Sequence, residues 1–300
     1  MRRPEGPLPV PEQRIGACAA TAMTRTLVYS APMPGVGSRY LDGPVAHERK
    51  ILAAVSARDA LAGAARRSVG ETVLEAVLSS SSLAGFADAR GAGYLAPLCR
   101  AAALGERSGR VLRGLGHDEI LYFIRAFEAA GEAGSLVASL RVALGAGESA
   151  TLRDAMRFAA TRDPLARDYA RDYEISRQLA RPALLAALSR SESARGALVH
   201  SYLEVLAEVP DLDVAVRAGR QEAEDVSRMA NGVLKAGGVR SRRGIQAISN
   251  LDGLLRADRR LAPTATEPVV LAAAFMAALK HGPEALGHHL PPVTGRDKGR

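Results

Sequence analysis

The chain has 300 residues, 47% of them hydrophobic and only 4% aromatic, with no tryptophan and a formal net charge of +8. An apolar set dominated by alanine and leucine, poor in aromatic residues, argues against a sheet-based fold and for helices. The length allows one large domain or two small ones. The positive charge suits anionic partners such as nucleic acid, CoA-like phosphates or ATP, although a solvated basic surface explains any single arginine equally well.

The first 14 residues are proline-rich and read as a loose segment. Prolines stand where a secretion signal needs an apolar core, so a cytoplasmic protein is expected. Helices alone are predicted from there on: Gln13–Tyr29, Val45–Ala65, Val69–Ser79, Gly93–Leu104, His117–Ala130, Leu136–Leu144, Thr151–Ala160, Pro164–Gln178, Pro182–Ser189, Ser193–Glu208, Asp211–Lys235, Arg242–Arg260 and Glu267–His281. Apolar residues recur in most of them at three- and four-residue intervals, the helical period.

Between the first two helices lies a polar loop, Ser30 to Asp42. Pro34-Gly35 is a turn dipeptide. Gly35 and Gly37 let backbone N–H groups approach a ligand, and Arg39 offers a forked donor for phosphate. Asp42, three positions on, suits either a turn or a carboxylate with chemistry to perform. Ser79 to Ser82, followed by Gly85, reads as a second loop.

Asp163 is placed to cap a helix beginning at Pro164. Tyr169 and Tyr173 lie four residues apart, a spacing that serves core packing first and adenine stacking second. Asp168 and Asp172 have the same spacing, but Arg167 and Arg171 are interleaved with them. Exposed ion pairs are therefore expected there rather than a metal site. Gly237-Gly238 can end a helix, and the basic cluster Arg240, Arg242 and Arg243 follows it. Cys18 and Cys99 sit in apolar helical contexts with no partner at metal-ligand spacing and are expected to be buried. The run Val269 to Leu279 is too short for a membrane span and reads as a core helix. Residues 287–300, with His288-His289 and a basic end, read as a disordered tail. The whole is predicted to be all-α, with one compact helical domain over residues 15–286. No fixed-period repeat, P-loop, zinc helix or Gly-rich strand–helix fingerprint occurs, so a doubly wound nucleotide fold is not expected.

Several blocks, taken in order, carry a resemblance. They are Ala31-Pro-Met-Pro-Gly-Val36, Thr151-Leu-Arg-Asp-Ala-Met156, Asp163-Pro-Leu-Ala-Arg-Asp-Tyr169 with Tyr173-Glu174, Pro210 to Gly219, Ala223 to Arg228, Gly237-Gly238, and Leu251-Asp252 through Pro263-Thr264. Their order and spacing, from about Ile15 to Gly282, resemble the triphosphoribosyl-dephospho-CoA synthase family. The departures fall on polar loop positions. Met33 and Val36 stand where the family has lysine and asparagine. An Asn-Thr-Asn-Leu-Gly block has become Asp88-Ala-Arg-Gly-Ala-Gly93. A Pro-Gly-Gly-Leu-Gly turn is only hinted at by Gly131-Glu-Ala-Gly134, and a Pro-Gly-Thr-Thr-Ala-Asp pattern has become Pro263-Thr-Ala-Thr-Glu-Pro268.

The resemblance implies a transferase that moves the triphosphoribosyl unit of ATP to the 2′-hydroxyl of 3′-dephospho-CoA, or of a related acceptor, and releases adenine. It implies magnesium with the ATP, held by carboxylates that the sequence does not single out. Pro34, Gly35, Arg39, Arg217, Gly219 and Arg220 would contact substrate or phosphate, and Asp42 and Asp163 would act in catalysis. The partners implied are ATP and a 3′-dephospho-CoA-like molecule, with no membrane, no nucleic acid and a homo-oligomer left open. The alternative is a non-catalytic relative that binds a nucleotide, a CoA-like ligand or a protein.

Overall fold

The structure is a computed structural model that describes residues 7–26, 33–37, 44–190 and 192–287. The described residues form helices joined by turns and loops, with no strand among them. In chain order the helices are α1 (Glu12–Arg25), α2 (Pro44–Ser56), α3 (Arg58–Ala62), α4 (Val69–Ala84), α5 (Ala89–Leu104), α6 (Ser108–Arg113), α7 (Asp118–Ala129) and α8 (Ser135–Gly145). There follow α9 (Leu152–Ala159), α10 (Pro164–Ala170), a π-helical turn (Ser176–Ala180), α11 (Arg181–Ser189), α12 (Ala194–Glu208), α13 (Leu212–Arg217), α14 (Arg220–Lys235), α15 (Arg242–Ala257) and α16 (Thr266–His281).

Helix α16 forms the axis of the molecule. Its sequence is apolar all round, and a helix with no polar face must be buried. It packs against α1, α5, α11 and α12, and every residue from Val269 to Phe275 is inaccessible to solvent. The segment Arg259–His281 is long and apolar enough to cross a membrane, but its most apolar stretch is mostly buried inside the fold, so it serves here as a core helix. Helix α5 is nearly as enclosed, and lies between α16 and α4.

The expected helices are present, except that Val45–Ala65 is two helices (α2 and α3) and α6 was not expected; four further differences have physical origins. Residues 7–14, expected to be loose, are ordered: α1 starts at Glu12, whose carboxylate pairs with Arg66, and Val10 N–H bonds to Ala102 O. The serine run does not form a loop. Helix α4 continues through it to Gly85, and Ser80 Oγ satisfies its donor on Ala53 O of the neighbouring helix. The stretch Asp211–Lys235 is two helices, because Gly219 has φ +120, a conformation that a side chain opposes. Helix α10 stops at Ala170, since Asp172 and Tyr173 both adopt left-handed backbone.

Cys18 and Cys99 are buried free thiols, as expected; burial pushes the Cys18 thiol up to about 11. The three tyrosines Tyr94, Tyr169 and Tyr173 pack together in the core. Tyr169 and Tyr173 donate to the carbonyls of Gly93 and Tyr94. Both are buried core residues, as their spacing first suggested. The two aspartates beside them part company: Asp168 is buried, whereas Asp172 pairs with Arg177.

The Pro34-Gly35 turn is also part of the core. Met33, Pro34, Gly35 and Val36 are all buried. Tyr202 donates to Pro34 O, Gly35 N–H donates to Asp252 at 2.9 Å, and Arg256 donates to Val36 O. Gly35 has φ +77, and a Cβ there would meet Pro263 Cδ at 2.8 Å. Gly35→Ala is therefore expected to lower stability by roughly 1–3 kcal/mol, read as a fall in Tm without loss of helical signal.

Candidate active site

Three helices near one another begin with an aspartate that accepts from the backbone of the first turn. Asp88 caps α5 through Gly91 N at 2.6 Å, Asp163 caps α10 through Ala166 N at 3.0 Å, and Asp211 caps α13 through Asp213 N and Val214 N. Short acidic side chains fold back onto free N–H groups in this way. Asp211 also accepts from Thr266 N at 2.9 Å and Thr266 Oγ1 at 2.7 Å, which fixes the start of α16 against α13.

Arg90, in the first turn of α5, joins these caps. Its guanidinium lies 3.5 Å from Asp163 and 3.1 Å from Asp213. Thr264 Oγ1 donates to the same Asp213 oxygen at 2.6 Å. Burial works against the charge on Arg90, but Asp163 and Asp213 more than offset it, and its pKa is raised. Asp163 is raised by burial, with Arg90 opposing.

The starts of α5, α13 and α16 border a cleft of about 520 Å³. One wall is largely apolar: Met23, Ala53, Ala54, Phe86, Ala87 and Ala130. Phe86 is partly exposed, and the ammonium of Lys50 lies 6.0 Å from its ring centroid. The polar lining comprises Lys50, Asp88, Arg90, Glu132, Asp213, Arg217, Thr264 and Glu267. Glu132 reaches from the end of α7 to accept from Ala89 N at 2.8 Å, beside Asp88. Burial, then the neighbouring Asp88 charge, pushes Glu132 up to about 7, and burial raises Asp88 as well.

Of the residues singled out from the sequence, Arg217 lines this cleft, exposed and donating to Ala262 O. Asp163 stands behind the lining, at the far side of Arg90. Gly219 forms the N-terminal boundary of α14, and Arg220 is an exposed partner of Glu224 at 2.8 Å; neither is part of the cleft lining. Pro34 and Gly35 lie in the core, outside the cleft lining. Arg39 and Asp42 fall outside the described residues. Arg240 is engaged with Glu192 and His200.

Sequence reasoning passed over Lys50, Phe86, Arg90, Glu132, Asp213 and Glu267 as site residues. A signal was present for some: the blocks at 88–93, 131–134 and 263–268 are among those that depart from the family's pattern. Each contributes a side chain to the cleft.

Among the described residues no three His, Cys, Asp or Glu side chains converge as a metal site. Magnesium is commonly held by one or two carboxylates together with phosphate oxygens. Asp213 and Glu267, both in the lining, fit that donor set.

The profile of the ATP:dephospho-CoA triphosphoribosyl transferase family (CitG) matches residues 12–285. No curated protein sequence matches the chain. A crystal structure of a candidate triphosphoribosyl-dephospho-CoA synthase from Archaeoglobus fulgidus superposes with a TM-score of 0.57 at 22% identity, covering 79% of this chain and 99% of that one. At that identity the likeness supports the fold alone.

Proposed function

The chain belongs to the ATP:dephospho-CoA triphosphoribosyl transferase family, and from that premise we propose that the cleft between the starts of α5, α13 and α16 is where ATP gives up its adenine. The chain is a transferase for cofactor biosynthesis. The reaction joins the ribose C1′ of ATP to the 2′-hydroxyl oxygen of 3′-dephospho-CoA and releases the base.

The observation that carries the assignment is the make-up of the cleft. An aromatic and aliphatic wall meets a set of cations and carboxylates within one 520 Å³ space. A base needs the first and a triphosphate the second. Phe86 offers a ring face on which adenine stacks, beside Ala53, Ala54 and Met23. Lys50, Arg90 and Arg217 supply positive charge for phosphate oxygens, and a guanidinium fork matches two of them at once. The positive end of the α16 dipole lies on the same side as Arg217 and Thr264.

Asp213 and Glu267 would hold magnesium against the phosphates. Bound there, the ion would offset triphosphate charge during transfer. The carboxylates also stabilise positive charge that develops on the ribose ring as the base departs, because they are fixed before the reaction begins. Asp163 supports this machinery at one remove, through its hold on Arg90.

Calorimetric titration of the protein with magnesium-ATP tests the assignment. Phe86→Ala is expected to weaken binding by about 1–3 kcal/mol, the range for losing one base–aromatic stack. Arg220→Ala, outside the cleft, is expected to leave binding unchanged. Equal affinities for wild type and Phe86→Ala would place the base elsewhere.

A further inference from the structure

We propose that Glu132, paired with Asp88 at the start of α5, protonates the adenine base as it leaves the ribose. The proposal rests on the cleft being the site of transfer and adds the group that completes the departure.

Four observations lead to it. Glu132, in the turn after α7, and Asp88, the residue that caps α5, are distant in sequence, yet both side chains line the one cleft. Each carboxyl is fixed by a backbone donor: Glu132 Oε1 accepts from Ala89 N and Asp88 from Gly91 N. The two donors lie two residues apart in one helix turn, so the carboxyls sit side by side. They lie against the apolar wall, since Phe86 and Ala87 directly precede Asp88 and Ala130 lies two positions before Glu132. A base stacked on Phe86 therefore has these carboxyls as its acidic neighbours.

The electrostatic surroundings fit a proton held for use. Two carboxylates near each other resist full ionisation, so burial and the Asp88 charge both favour a proton on Glu132. Glu132 is raised to about 7 by burial and by Asp88, while Arg90 opposes. The facing groups are Lys50 from α2, Asp88 and Arg90 from α5, and, across the cleft, Asp213 and Arg217 from α13 and Glu267 from α16. A general acid works best when its pKa lies near the operating pH.

The step balances. The C1′–N9 bond breaks and its electron pair goes to the base, which takes the Glu132 proton on a ring nitrogen. The acceptor hydroxyl oxygen bonds to C1′ and its proton passes to water. Glu132 then regains a proton from solvent, and no oxidant or reductant is needed.

The test compares adenine release from ATP with base release from ATP methylated at adenine N7, whose base is already cationic on the ribose and departs neutral with no proton. Glu132→Gln keeps an acceptor for Ala89 N but has no proton to give. On ATP it is expected to lose about 100- to 10,000-fold in kcat, with ATP affinity by calorimetry unchanged. On the N7-methylated nucleotide it should stay within about tenfold of wild type. The wild-type kcat/KM should fall as pH rises through the Glu132 titration. Asp88→Asn, which preserves the cap, should move that fall to lower pH because the charge that raises Glu132 is gone. Equal losses on both nucleotides would reduce Glu132 to a structural role and overturn the proposal. So would an unchanged rate on ATP, or an unmoved pH profile in Asp88→Asn. If wild type releases neither base while still binding ATP, the transfer reading itself fails, an outcome distinct from failure of the variant alone.

Discussion

Arg90→Ala is expected to lower folding stability by about 3–5 kcal/mol, the cost of stranding buried carboxylates that have lost their cation. Arg90 is mostly enclosed, and Asp163 is 4% exposed at its side chain. Removing the guanidinium leaves the buried Asp163 and the half-buried Asp213 with no positive charge between them. Arg90→Lys should recover only part of the loss, since a single ammonium cannot present two donor edges to two carboxylates. The effect should depend on pH in a defined direction. Asp163 is raised by burial and held down by Arg90. A carboxyl raised in the folded state binds its proton more tightly there, so its contribution to stability falls as pH rises through that window. Without Arg90 the window moves further up, and the variant should be weakest relative to wild type at neutral pH and closest to it in acid. Chemical denaturation at several pH values measures this. A difference below about 1 kcal/mol at neutral pH would mean that Arg90 is solvated like a surface residue.

Asp211→Ala should be nearly as damaging. It removes the cap of α13, which is worth about 0.5–2 kcal/mol. It also strands the Thr266 N–H at the start of α16, a buried donor worth about 1–3 kcal/mol when left without a partner. Asp211 is 2% exposed, so water cannot take its place readily. Asn is a poor replacement. Its amide offers one acceptor oxygen, whereas Asp211 accepts through both, on α13 with one and on Thr266 with the other. Because the pair positions Asp213 and Thr264, Asp211→Asn should also weaken ATP binding, whereas Ser193→Ala, which removes a remote cap on α12, should lower stability without touching ligand affinity.

Local chemistry made much of the fold legible. The apolar run that became α16, the Asp163–Pro164 helix start and the cysteines in apolar contexts all depend on near neighbours, and the structure bears them out. Where local signals compete, the sequence misleads. The four serines resemble a loop, yet Ser80 finds an acceptor on Ala53 and the helix continues. The periodicity of 211–235 is helical on both sides of Gly219, and only the backbone angle of that glycine separates the two helices. The Pro-Gly turn resembles a ligand loop because glycine and proline mark any tight turn, and this one is held by Tyr202, Asp252 and Arg256 in the core.

The cleft was legible only in part, because its partners are distant in sequence. Arg90 and Asp213 are 123 residues apart, and Glu132 meets Ala89 across 43. No spacing rule links such pairs. The departures from the family's pattern at 88–93, 131–134 and 263–268 looked separately like losses. Folded, they face a common space, and the residues that replaced the family's polar loop positions include Asp88 and Arg90.

The most direct test mixes the wild-type protein with magnesium-ATP and 3′-dephospho-CoA, and follows free adenine by chromatography and the coenzyme by mass. Adenine should appear in equal amount with a dephospho-CoA product heavier by the triphosphoribosyl unit, and Phe86→Ala should slow both at limiting ATP. A folded, ATP-binding protein that yields neither adenine nor the heavier product, or that releases only ADP and phosphate, would contradict transfer in this cleft.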